Sequence, residues 1–165
     1  MSTYNELFLT TASGLVEGAE MVIKRAQKVH DDNALTTHPI ARAYEREELR
    51  MWWAFKIAYM SKSFHLLAPA FEKFKVAAHD AMDHQLESTG SVRLISDDYK
   101  FSRVKGDTDI VRKMIMEDIQ KDYNFFEAVV NGWQNPVNIL DKFIAREEAR
   151  GSYEDVCAQM SVSAA

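Results

Sequence analysis

The densest cluster of potential metal ligands in the chain is His79-Asp80-Ala81-Met82-Asp83-His84. Residues four apart share a helix face, so His79 falls over Asp83 and Asp80 over His84. An imidazole and a carboxylate one turn apart can hold a metal ion between them. The two pairs point in different directions, however, on either side of an apolar stripe through Ala78 and Ala81. A carboxylate-bridged two-metal bundle wants Glu-x-x-His twice, and the chain has no such triplet. A solvated helix face is the plainer reading. A metal site remains the alternative, with Glu48 or Asp122 as further ligands.

Those two acids stand out because each falls inside an apolar stripe. Glu48 lies between Tyr44 and Met51, and Asp122 between Ile119 and Phe126. A buried carboxylate is costly unless paired, and such groups cluster at functional sites. Structural ion pairs are the commoner cause, so each acid is expected to reach an Arg or Lys at the edge of its stripe. His30, His38 and His65 are isolated and read as cap, loop or packing residues. The one cysteine, Cys157, has no activating neighbour in sequence. No Gly-x-Ser-x-Gly elbow and no glycine-rich phosphate loop occurs. No cofactor is expected, and enzyme activity is disfavoured without being excluded.

Other residues are better suited to contact than to catalysis. Adjacent helical positions diverge by about 100°, so Trp52 and Trp53 cannot both face one core. One is expected inside and the other on a second face near Arg50, Lys56 or Tyr59, where Trp and Arg act as interface anchors. Gly14 and Gly18, with Thr11 and Met21, make a flat strip that lets another helix approach closely. Internal packing is its first use and self-association its second. Arg93, Lys100, Arg103 and Lys105 make one segment locally basic. That segment could meet an acidic face of a second copy or nucleic-acid phosphate.

Helices must position these groups. Apolar residues recur at alternating spacings of four and three through Phe8, Ala12, Leu15, Ala19, Val22, Ala26 and Val29, and again through Phe64, Leu67, Phe71, Phe74, Ala78 and Ala81. The first seam is small and the second rich in Phe, so each is expected to fill the other. The first helix spans about Thr3 to His30. A second follows Thr37 or His38 with Pro39 in its first turn. Ser61-Lys62-Ser63 is a weak break and Pro69 a stronger one. The stripe keeps register across Pro69, which favours one long kinked rod ending near Leu86. Alternation around Ser96-Asp97-Asp98 predicts a small β-hairpin at about 92–104. A fourth long helix follows Gly106-Asp107-Thr108. Asn135-Pro136 starts a fifth, whose stripe reads Val137, Leu140 and Ile144 and which ends at Gly151.

A chain of 165 residues suits one domain with a sizeable core. Six glycines and three prolines favour long helices over a sheet. The net charge of −5 argues against a general binder of nucleic acid or anionic membrane. No apolar run is long enough to span a membrane and no leader pattern opens the chain. One cysteine permits no internal disulfide, which fits a reducing, cytoplasmic setting. The expectation is a single all-α domain over 1–165, a bundle of four to five helices with a small hairpin before the fourth long one. Its expected role is a non-enzymatic, self-associating assembly or adaptor protein. Gly14, Gly18, Trp52, Trp53, Arg93 and Arg103 are the candidate interface residues. The alternatives are a metal- or ligand-binding bundle and a nucleic-acid-packaging subunit.

Overall fold

The computed structural model describes residues 2–32, 39–87 and 108–148. The hairpin segment with Arg93 and Arg103, the Thr37-His38 cap and Cys157 lie outside the described residues. Helix α1 runs Ser2–Asp32 and α2 Pro39–Ser61. A short 3-10 turn, Phe64–Leu66, leads into α3, Leu67–Glu87; α4 runs Thr108–Gly132. A fifth helix, α5, covers 136–148. Among the described residues there is no strand. The architecture is an all-α bundle.

The periodic stripes face inward. α1 buries Ala12, Leu15, Ala19 and Val22, and α3 buries Leu67, Phe71, Phe74, Ala78 and Ala81. The expected mating of those two seams is corrected by the packing order. α1 packs on α2, α2 on α3 and α3 on α4, so α2 is interposed. That helix supplies the largest buried side chains, among them Tyr44, Met51, Trp52 and Phe55. The Trp52 ring reaches across the core to Phe125 at 5.5 Å, Phe126 at 4.8 Å and Phe143 at 6.0 Å, centroid to centroid. The Phe126 and Phe143 rings meet it edge-on, and Phe125 lies nearly parallel. Such contacts add to what area burial alone supplies.

The kinked-rod expectation is also corrected. The chain breaks between α2 and α3 at Lys62, which takes a left-handed φ of 55°. The Ser63 N–H then donates back to the Ala58 carbonyl at 3.0 Å, the closing bond of a Schellman cap. Pro69 is the third residue of α3, where its missing N–H has no intrahelical partner to lose. The stronger helix breaker therefore sits where it breaks nothing.

Asn135 caps α5 as its sequence suggests, its Oδ1 accepting the Asn138 N–H at 3.2 Å. The inward face of α5 differs from the one expected. Pro136, Ile139, Phe143 and Arg146 turn inward, whereas Val137 and Ile144 are exposed. One pole is held by aromatic rings. Phe64 stacks on Trp133 at 4.1 Å and meets Phe8 edge-on at 6.5 Å. Tyr59 donates its hydroxyl to the Trp133 carbonyl at 3.0 Å. Burial pushes the Tyr59 phenol well above its ordinary range, which keeps that donor protonated. The start of α1 and the ends of α2 and α4 meet there, so α1 and α2 run in opposite directions.

Candidate functional site

Three arrangements bring polar or reactive groups together. The first is the buried acid Asp122 on α4. Arg146 on α5 donates its Nε to Asp122 Oδ1 at 2.6 Å, and both side chains are almost wholly buried. Tyr44 of α2 faces the other carboxylate oxygen at 3.4 Å. Arg146 also donates Nη1 to Glu147 at 2.6 Å, and Glu147 in turn accepts two bonds from Arg25 of α1. The Arg146 guanidinium carbon lies 4.8 Å from the centre of the Trp52 ring. A cation over an indole in a dry site is held by the ring quadrupole as well as by its carboxylates. The network therefore joins four helices through one guanidinium. Its chemistry is positional, because the Asp122 carboxylate is already an ion-pair partner.

The second arrangement closes the far pole. Arg42 donates to the His30 carbonyl at 2.9 Å, to Glu45 at 3.1 Å and to His30 Nε2 at 3.1 Å. An arginine cannot accept a hydrogen bond, so Nε2 is the acceptor and the proton sits on Nδ1. Nδ1 lies 3.7 Å from Glu45 Oε2. Burial, and then the Arg42 charge, hold the His30 pKa below its ordinary value of 6.5.

The third is the helix exterior. On α2 the exposed apolar residues are Trp53 at 43%, Ile57 at 36% and Met60 at 60% of full exposure. Their spacing of four and three places them on one stripe, opposite the Tyr44–Phe55–Ala58 core face. Arg46 and Arg50 continue that stripe toward the N-terminus and share a single carboxylate, Glu47. Lys56 lies 4.8 Å from the Trp53 ring centre and 3.5 Å from Glu20 of α1. On α5, Val137 at 40% and Ile144 at 47% exposure alternate with the exposed acids Asp141 and Glu148. No protein-family model, curated protein or solved structure matches the chain.

The sequence candidates separate accordingly. Trp52 is fully buried and presents nothing to a partner, while its neighbour Trp53 stands outside. A Cβ on Gly18 would lie 2.8 Å from two Phe143 ring atoms, so this glycine admits α5; a Cβ on Gly14 would meet no other side chain within 4 Å. His79, Asp80 and Asp83 are exposed, and the His79 ring rests 5.4 Å from Tyr123. The His84 side chain lies outside the described residues. Among the described residues no three His, Cys, Asp or Glu side chains converge as a metal site would require. Asp122 is turned to Arg146, and Glu48 on α2 is half-buried. Among the described residues no helix is long and apolar enough to cross a membrane.

Clefts open on the surface of the described residues. One of about 310 Å³ is lined by Leu7, Phe8, Gln134, Asn135, Pro136 and Val137. None of these carries an acid, a base or a thiol. Another, of about 270 Å³, holds Lys121, Lys142 and Arg146 beside Phe125. Its buried cation already serves Asp122 and Glu147. Sequence reasoning missed Arg146, the outward stripe of α5, and Ile57 and Met60, which extend the second face of α2 expected from Trp52-Trp53. A search for a second 4-3 spacing out of phase with the core would have found Trp53, Ile57 and Met60.

Proposed function

We propose that the chain is a non-enzymatic helical assembly or adaptor protein, a single domain that acts by protein–protein contact and binds further copies of itself. The carrying observation is the apolar stripe Trp53–Ile57–Met60, left outside a core that the same helix has already filled with Trp52, Phe55 and Tyr59. Large apolar side chains grouped on one outward face, with arginine beside them, have the composition of an interface anchor. The most reactive-looking group in the interior, Asp122, is instead committed to holding α4, α5 and α2 together. A basic hairpin at about 92–104, with Arg93 and Arg103, belongs to the same reading as a second contact element, as does a cytoplasmic location.

Light scattering over a rising concentration series tests it. Mass increasing with concentration supports the reading. A monomer at the highest concentration, with no partner retained by immobilised protein, removes it.

A further inference from the structure

The outward stripes of α2 and α5 match in spacing and are opposite in charge. Arg46, Arg50, Trp53, Ile57 and Met60 repeat at four, three, four and three; Val137, Asp141, Ile144 and Glu148 repeat at four, three and four. Each of the segments 49–60 and 137–148 spans about 16 Å at the α-helical rise. The α2 stripe carries two arginines that share one carboxylate, with Lys56 at its edge. The α5 stripe carries two exposed carboxylates and no cation.

We infer that the α2 stripe of one copy docks antiparallel on the α5 stripe of the next. The inference rests on the self-association proposed above and names its surface. In this register Val137 meets Met60, Ile144 meets Trp53, and Asp141 lies level with Ile57 beside Lys56, whose Nζ is 3.5 Å from Glu20 of its own copy. Glu148 falls between Arg46 and Arg50. Two apolar pairs are then matched, and Glu148 sits among arginines. A parallel alignment with Ile144 on Trp53 keeps Asp141 against Arg50 but sets Glu148 against Ile57 and Val137 against Arg46. Complementary charge at the margin fixes register, and the apolar centre is removed from water.

The two stripes are different surfaces, so their pairing is heterologous. In this docking each partner covers one stripe of a copy and leaves its other stripe open. The contact is head-to-tail, and it continues into a ring or an open filament.

Sedimentation of the full chain at rising concentration tests this, with wild type, Trp53→Glu, Ile144→Glu and an equimolar mixture of the two variants. Wild type is expected to pass twice the protomer mass of 18.9 kDa. Each variant alone keeps one sound stripe and stays monomeric. In the mixture the sound α5 stripe of one variant meets the sound α2 stripe of the other, and growth stops at a one-to-one pair. Wild-type oligomers that both variants retain, or that stop at two copies, overturn the α2–α5 contact while self-association stands. A wild type that never leaves the monomer overturns both. A mixture that stays monomeric or grows past the pair overturns the contact as well. Circular dichroism checks the helices, and Met60→Asp with Val137→Asp repeats the design should either glutamate variant unfold.

Discussion

Asp122 and Arg146 show how a buried charge is made tolerable. Each would be costly alone, and together they share Tyr44, Glu147 and the face of Trp52. Asp122→Ala leaves the guanidinium with Glu147 as its carboxylate partner and is expected to cost up to about 3 kcal/mol in urea unfolding. The double change Asp122→Leu with Arg146→Met removes both charges and should recover most of that loss. At the other pole, His30 is held below its ordinary 6.5 by burial and by Arg42. The unfolded chain therefore takes up a proton that the folded chain refuses. The His30 contribution is intact above about pH 6.5 and is lost as pH falls toward the folded value. Denaturation at about pH 7.5 and about pH 5.5 should show this slope in the wild type and a shallower one in His30→Gln. The need of Asp122 for a cationic partner was legible in the sequence. Its identity was not, because Arg146 lies twenty-four residues on and in another helix. α5 carries apolar residues at 136, 137, 139, 140, 143 and 144. Two neighbouring stripes fit that pattern equally, and only the fold chooses between them.

The elements turn on backbone positions that periodicity does not weigh. Gly18 lets α5 approach α1, and its Cβ would strike the Phe143 ring, so Gly18→Ala should lose about 1–3 kcal/mol through overpacking. Gly14 faces open space, and Gly14→Ala should gain up to about 1 kcal/mol of helix propensity. Thermal unfolding of the two variants side by side reads the difference in sign. The spacing of the two glycines pointed to a close approach, yet nothing in it says which glycine is met. The long helices were legible because α1, α2 and α3 each repeat their core residues over several turns. The break between α2 and α3 was misread for a local reason. Proline is disruptive in a helix interior and harmless in a first turn, and Lys62 gives no sign in sequence of its left-handed φ of 55°.

At the scale of the whole molecule, the bundle leaves a basic stripe on α2 and an acidic one on α5 in a chain with net charge −5. Contacts at the margin of such a joint are screened by salt. Raising ionic strength should slow association of copies more than it speeds their separation, as stopped-flow light scattering would record. The neighbouring indoles Trp52 and Trp53 offer a further readout, since one is sealed among phenylalanines and the other stands in water. With the half-buried third indole removed by Trp133→Phe, iodide can quench the emission of Trp53 and has no path to Trp52. A chain whose fluorescence becomes less accessible to iodide as it is concentrated, with its spectrum otherwise unchanged, has hidden its outer indole while leaving the inner one undisturbed.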